Sequence, residues 1–170
     1  MSMPWEHEVV SRLLEWWRAE RRSFPWREAR SPWLVLLAGV LLRKTGAKAV
    51  ARVYPRLAEK YSKPERVLSS GVGELEEDLR FLGMYRRRAR ELVELARVLC
   101  SRYGGRVPRS REELVKLPGV GDYIASVVLC YAFGESTPTI DTNTGRLVSR
   151  LAGVGHSEVR EVYELSLIHI

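Results

Sequence analysis

Apolar residues recur at spacings of three and four along most of the chain, as they do on one face of a helix. No stretch alternates polar and apolar residues like a half-buried strand, and no Asn-Gly or Asp-Gly hairpin occurs. The pattern therefore predicts an all-α protein. We expect a first helix over 5–22, followed by a break at Phe24-Pro25-Trp26. Its inward residues are expected to be Val9, Val10, Leu13, Leu14 and Trp17.

The second predicted helix is almost wholly apolar, so we place it at the centre of the fold. It covers 33–42, with Ser31 as its N-cap and Pro32 in its first turn. Further helices are predicted over 47–61, 62–69, 75–82, 84–102, 110–116 and 142–151, and an apolar helix ends near residue 133.

Glycines and arginines refine the middle of the chain. Gly71 and Gly73 are expected to separate two helices, and Gly83 to cap the C-terminus of the helix over 75–82. In the helix over 84–102 we expect the arginines on the outer face. Its inward residues are expected to be Leu92, Leu95, Ala96 and Leu99.

The charge balance favours a polyanionic partner. The 170 residues include 28 Lys and Arg against 21 Asp and Glu, a formal net charge of +7. The stretch 84–111 contains nine arginines but only two acidic residues, Glu91 and Glu94, so the positive charge is concentrated in one region. A local basic surface of this kind is typical of nucleic-acid binding.

Several other classes find no support in the sequence. Even the longest uncharged stretches, such as 31–42, are shorter than the roughly 18 apolar residues of a membrane span, and the N-terminus is too acidic for a signal peptide. Cys100 and Cys130 are too few for a disulfide framework or a four-thiolate metal site. We therefore expect an intracellular protein in a reducing compartment.

Cofactor motifs are also missing from the sequence. His7, His156 and His169 lack metal-ligand spacing, and neither common nucleotide-binding glycine motif occurs. Arg outnumbers Lys 23 to 5, Gln is absent and Asn occurs once, a composition that points to a thermophile.

Two features carry candidate chemistry. Leu117-Pro118-Gly119-Val120-Gly121 lies between two predicted helices, where free backbone amides and the positive end of a helix dipole can bind phosphate. The alternative is a tight turn that uses glycine for its conformational freedom. Asp141 precedes the last helix as an N-cap that stays ionised, and such an anion can also stabilise a developing cation. For Tyr123, core packing is the alternative to a site role.

At LPGVGDYIASVVLCYAFG, followed by PTIDTNTGRLVSRL, the sequence resembles the helix-hairpin-helix DNA glycosylases of base-excision repair, the endonuclease III and adenine glycosylase superfamily. The similarity begins at FPWREARSPWLVLLAGVLLRKT, continues through FLGMYRRRARELVELARVL and YGGRVPRSREELVKLPGVG, and ends near residue 155. It implies a six-helix domain over 30–138, with the hairpin at about 110–133. A second lobe would combine 1–29 with 139–165, and 166–170 form an atypical tail.

The resemblance assigns the catalytic role to Asp141, which follows Tyr123 by the family interval of 18 residues. Members that also cut the strand have a lysine at the Tyr123 position to form a Schiff base, which tyrosine cannot do. The resemblance therefore implies a monofunctional enzyme, in which Tyr123 lines the base pocket. Adenine-removing relatives protonate the purine with an acid at a position that here is Gly39, which counts against adenine as the substrate.

The LLRKT and YGGRVP motifs look most like the thymine/uracil mismatch glycosylases, which act on T or U opposite G. The implied partner is duplex DNA with a mismatched or deaminated base, bound by a monomer in the prokaryotic cytoplasm at the nucleoid. Two alternatives stay open. One is an adenine or other damaged-base glycosylase, and the other is a DNA-binding fragment without catalysis.

The resemblance also implies DNA contacts and a cation site. Arg43 or Lys44 would enter the gap left by the extruded base. The hairpin would hold phosphate through Leu117, Gly119, Val120 and Gly121. The backbone carbonyls of Val115, Leu117 and Val120 would bind a monovalent cation.

Many relatives carry a [4Fe-4S] cluster on four C-terminal cysteines, but neither Cys100 nor Cys130 is at a cluster position. We expect no cofactor in this chain. Because the chain stops before such a loop could begin and its tail leaves the family pattern, we hypothesise a truncated reading frame or a foreign tail.

Overall fold

The computed structural model describes residues 6–155 and 158–159, apart from the side chains of residues 6 and 7. These residues form helices and no strand, which confirms the all-α prediction. The helices are α1 (Glu6–Glu20), α2 (Pro32–Leu42), α3 (Ala47–Lys60), α4 (Pro64–Leu79), α5 (Tyr85–Tyr103), α6 (Arg111–Leu114), α7 (Asp122–Phe133) and α8 (Thr142–Ala152), with a short 3₁₀ turn at Pro25–Arg27.

The chain divides into two compact units, one of Met1–Phe24 with Ile140–Ile170 and one of Pro25–Thr139. Across the described residues, every helix is too short or too polar to cross a membrane. The predicted tail 166–170, residues 160–165 of the predicted second lobe, and His156 and His169 lie outside the described residues.

The core of the larger unit forms around α2, as its apolar sequence predicts. Seven of its eleven residues are buried, and the helix contacts α3, α5 and α7. The approach to α7 is close at Gly39, where a Cβ atom would lie 3.1 Å from Ile124 Cγ2. Ser31 precedes the helix, but its hydroxyl makes no capping hydrogen bond. The inward residues predicted for α5 are all buried, namely Leu92, Leu95, Ala96 and Leu99.

A network around the buried Asp78 carboxylate connects α2, α3 and α4 of this unit. The Tyr61 hydroxyl donates to Asp78 at 2.7 Å, and Arg56 and Lys60 both pair with the same carboxylate. The Trp33 indole N–H donates to the Tyr61 carbonyl at 2.7 Å, which extends the network to α2. Burial raises the pKa of Asp78, but the hydrogen bonds from Lys60 and Tyr61 and the charges of Lys60 and Arg56 lower it below the ordinary value.

The break between the two helices predicted over 62–82 occurs at Gly71, whose φ of 76° interrupts α4. The predicted cap at Gly83 is wrong, because α4 ends at Leu79. A tight turn follows, in which the Leu82 N–H donates to the Leu79 carbonyl at 2.8 Å and Leu82 becomes buried. The left-handed residue is instead Met84, which precedes α5.

The predicted inward face of α1 is also wrong. Val10, Leu13, Leu14 and Trp17 are exposed, and Val9 is half-buried. The periodicity identified the apolar face of this helix, but a face becomes buried only where tertiary packing covers it.

Candidate functional site

The hairpin consists of α6, a turn over 115–121 and α7. Two backbone hydrogen bonds shape its turn: the Leu117 N–H donates to the Leu114 carbonyl and the Val120 N–H to the Leu117 carbonyl, both at 3.1 Å. The side chains of Leu117 and Val120 are buried. These two residues anchor the turn to the core, so any part they have in DNA binding is through the shape of the turn.

The glycines of the turn face solvent. Gly119 has a φ of 75°, which favours glycine, and Gly119 and Gly121 are both exposed. Their N–H groups donate to no acceptor among the described residues. Because Gly121 directly precedes α7, these amides lie at the positive end of a helix dipole and can receive a phosphate oxygen.

Arg111 fixes the two helices of the hairpin relative to each other. Its guanidinium pairs with Asp122 at 2.9 Å and donates to the buried Ser126 hydroxyl at 3.0 Å. At the start of α6, the Ser110 hydroxyl accepts from the Glu113 N–H at 3.4 Å. The turn that would meet phosphate is thus held on both sides.

Asp141 caps α8, as the sequence predicts. Its Oδ1 accepts hydrogen bonds from the Asn143 N–H at 2.9 Å, the Thr144 N–H at 2.7 Å and the Thr144 hydroxyl at 3.0 Å. Partial burial raises the pKa of Asp141, but the hydrogen bonds from Thr144 and Asn143 outweigh it and lower the pKa below the ordinary value. Asp141 is therefore a fixed, ionised carboxylate at neutral pH, the kind of group that stabilises a developing cation.

Tyr123 is the second residue of α7 and is 47% exposed. A phenol has no amine with which to form a Schiff base. The role of Tyr123 in a base pocket stays a prediction.

Gly39, the position of the purine-protonating acid in adenine-removing relatives, lies where α2 meets α7. Because even a Cβ atom there would lie 3.1 Å from the Ile124 Cγ2 methyl, the Ile124 side chain would have to shift to accommodate a carboxylate side chain.

Arg43 and Lys44, which the sequence did not distinguish, differ in their surroundings. The Arg43 guanidinium donates to the Gly119 carbonyl at 3.1 Å and pairs with Glu91 at 3.2 Å. Lys44 is exposed and has a φ of 52°. The contact between Arg43 and the hairpin joins residues 76 apart in the chain, so no local pattern indicates it.

Arg88 is the residue that the sequence analysis missed. The prediction that the arginines of α5 lie on its outer face is wrong here, because Arg88 is 4% exposed. It lies one helical turn before Leu92, on the buried face, and its guanidinium donates to the C-terminal carbonyls of α2. Its position on the apolar side of the predicted helix was the available signal.

The remaining arginines of α5 are exposed and partly neutralised. Arg87 pairs with Glu91 at 2.8 Å, and Arg97 pairs with Glu94. Arg86, Arg90 and Arg102 are exposed along the same helix. This surface can meet a phosphate backbone through charge alone.

The residues present do not fit an iron–sulfur cluster, because Cys100 and Cys130 cannot supply four thiolates. Throughout residues 6–155 and 158–159, no group of three or more His, Cys, Asp or Glu side chains could hold a metal ion. The Leu117 carbonyl already accepts one hydrogen bond, from the Val120 N–H. Cation binding by this carbonyl and those of Val115 and Val120 stays a prediction.

Comparison with known proteins places the chain in a family. A family described as "HhH-GPD superfamily base excision DNA repair protein" matches residues 37–167. The chain is similar to the thymine-DNA glycosylase of Aeropyrum pernix, at 45% identity over 150 residues that cover 88% of this chain and 67% of that protein. It is also similar to the thymine/uracil-DNA glycosylase of Methanothermobacter thermautotrophicus, at 41% identity over 144 residues that cover 85% of this chain and 65% of that protein.

The fold agrees with these relatives. A solved structure of a thermostable thymine-DNA glycosylase superposes with a TM-score of 0.88 at 37% identity, covering 95% of this chain and 76% of that one. The chain spans about two thirds of the length of the two curated relatives. The predicted helix-hairpin-helix glycosylase fold is confirmed, and the chain belongs to the HhH-GPD superfamily of base excision DNA repair proteins.

Proposed function

We propose that the chain carries the core of a monofunctional DNA glycosylase that hydrolyses the N-glycosidic bond of T or U mispaired with G. The observation that carries this proposal is Asp141, an ionised carboxylate held by three hydrogen bonds to Oδ1. The similarity to proteins named thymine-DNA and thymine/uracil-DNA glycosylases supports the choice of base. Gly39 carries no acid, and its Cβ position already lies 3.1 Å from Ile124, which supports T or U over adenine.

The target nucleotide must leave the duplex before its bond can be reached. Extrusion costs roughly a few kcal/mol and less at a mismatch, so mispairing itself contributes selectivity. During this step the amides of Gly119 and Gly121 hold a backbone phosphate, on the turn that Leu117 and Val120 anchor. Lys44 or Arg43 enters the gap that the base leaves, and Tyr123 lines the pocket.

Bond cleavage then uses the Asp141 carboxylate. As the bond between C1′ and the base nitrogen breaks, the electron pair leaves with the base and positive charge develops on the sugar. Asp141 stabilises this cation and accepts a proton from the water whose oxygen bonds to C1′. The product is an abasic site in an intact strand, because Tyr123 provides no amine for lyase chemistry.

The partner in this proposal is duplex DNA with a mismatched or deaminated base, bound by a monomer in the prokaryotic cytoplasm at the nucleoid. The carbonyls of Val115, Leu117 and Val120 would bind a monovalent cation beside the phosphate. A thermophilic source is supported by the absence of Gln and by the likeness to a thermostable glycosylase.

The test incubates the purified chain with labelled duplexes that contain T·G, U·G or A·G, followed by alkali to cut abasic sites. We expect alkali-dependent cleavage at T·G and U·G. Asp141→Asn and Asp141→Ser both keep a good N-cap but remove the charge, so both should fold and release no base. If both variants keep full activity, Asp141 is only a cap. Release from A·G alone would favour adenine, and binding without release would favour a non-catalytic DNA-binding chain.

A further inference from the structure

Arg88 connects three separate segments through one buried guanidinium. Its Nη1 donates to the Val40 carbonyl at 2.9 Å and to the Leu41 carbonyl, at the end of α2. Its Nη2 donates to the Arg43 carbonyl at 3.0 Å, to the Thr45 hydroxyl at 2.7 Å and to the Gly83 carbonyl at 3.2 Å. One side chain thus holds the turn over 43–45 and the turn over 83–84 against the same helix end.

Each of these turns contains a strained residue. Among the described residues, Lys44 and Met84 are the non-glycine residues with positive φ, at 52° and 58°. Arg88 binds the groups on both sides of Lys44 and the carbonyl that directly precedes Met84. Strained non-glycine backbone persists where the surroundings enforce it, and such strain is concentrated at functional sites.

Core stability alone does not favour a buried guanidinium at this position. No carboxylate in the described part of the chain forms a salt bridge with Arg88, and its buried Nε–H has no acceptor there. Burial and the neighbouring charge of Arg43 lower the pKa of the Arg88 guanidinium. A buried cation with neutral acceptors costs more desolvation free energy than an apolar side chain of similar size.

The two turns meet at an open hollow, which is lined in part by Arg43 and Lys44, the residues that would enter the gap in the duplex. Lys44, Met84 and Arg87 line this hollow together with Arg88, and Met84 is 48% exposed. Arg43 extends from the same turn to the Gly119 carbonyl of the hairpin at 3.1 Å. Arg88 therefore fixes both the residues that would enter the gap in the duplex and their distance from the phosphate-binding turn.

We propose that Arg88 is a positioning residue for base extrusion, which holds the turns over 43–45 and 83–84 in the shape that keeps the base pair open. This inference rests on the proposed glycosylase function. It assigns Arg88 to the opening of the pair and not to cleavage of the glycosidic bond. The loss in the rate of base release in an Arg88 variant must then depend on how strongly the target base is paired.

The test compares single-turnover release of U from two duplexes, one with U opposite G and one with U opposite an abasic-site analogue. Because an unpaired base costs less to extrude, Arg88→Met should lower the rate constant at least about tenfold for the U·G duplex and less than about threefold for the other. Arg88→Lys keeps the charge but cannot reach all five acceptors, so its loss should be intermediate. Arg90→Met is the matched control, because it removes an exposed charge two residues away on α5 and should change both rates by the same factor.

Thr45→Val is a second variant that alters no charged residue: it removes one acceptor of Arg88 and keeps the side-chain shape. It should slow release about threefold from U·G, with little change for the unpaired U. Equal losses on the two duplexes for Arg88→Lys and Thr45→Val would overturn the inference and leave a purely structural role. If the unaltered chain releases U from neither duplex, it is the proposed function that fails, whereas equal losses in a chain that does release U overturn the Arg88 inference alone.

Discussion

Replacing Asp78 with asparagine should destabilise the larger unit by about 2 kcal/mol at pH 7. The substitution keeps the side-chain shape but removes the charge that pairs with Lys60 and Arg56 and accepts from Tyr61. The Asp78 side chain is 5% exposed, so the loss of its bond to Lys60 falls in the range of a charged hydrogen bond, about 1.5–3 kcal/mol. Arg56 is mostly exposed and should add less than about 0.5 kcal/mol.

Urea unfolding followed by circular dichroism measures this difference, and pH gives a second check. The pKa of Asp78 is lowered in the folded state, so its contribution is present at pH 7 and is lost as pH falls below 3.8 toward the folded value. The pKa of Lys60 is raised by the hydrogen bonds to Asp78 and Glu74. Its contribution is therefore lost as pH rises above 10.5.

The control is Glu74→Gln, which removes the half-exposed second partner of Lys60 and should cost less than about 0.5 kcal/mol. A loss for Asp78→Asn no larger than that of the control would refute the reasoning. So would a difference between the unaltered chain and Asp78→Asn that stays constant from pH 7 to pH 2.

Other predictions concern the proposed reaction. Because hydrogen bonds lower the pKa of Asp141, single-turnover base release should show no acid limb from Asp141 between pH 7 and about pH 4.5, and an Asp141-dependent loss near pH 6 would contradict its cap geometry. Gly39→Glu should destabilise the chain by roughly 1–3 kcal/mol in thermal unfolding and should not produce release of adenine from A·G, because the side chain overpacks Ile124. Tyr123→Lys supplies an amine, so borohydride should trap a covalent complex with U·G DNA, whereas Tyr123→Phe should give none. Absence of trapping by an active Tyr123→Lys variant would remove Tyr123 from the pocket.

Local patterns in the sequence determined the helices and some of their ends. The spacing of apolar residues predicts α5, and the apolar run that follows Ser31-Pro32 predicts α2. Asp141 is a cap by its own type and position, because a cap joins residues within four positions of each other. Gly71 likewise interrupts α4 through its own backbone freedom. The hairpin motif and its family resemblance also required nothing beyond the order of residues.

The tertiary structure decided what covers each face and which distant groups meet. The apolar spacing of α1 could not show that Leu13 and Leu14 are exposed, since burial depends on packing. Nor could it show that Arg43 reaches Gly119, or that Arg88 binds the end of α2 from 48 residues away. The sequence does not show whether an arginine is buried or exposed, because this depends on the carbonyl groups that folding brings around its guanidinium.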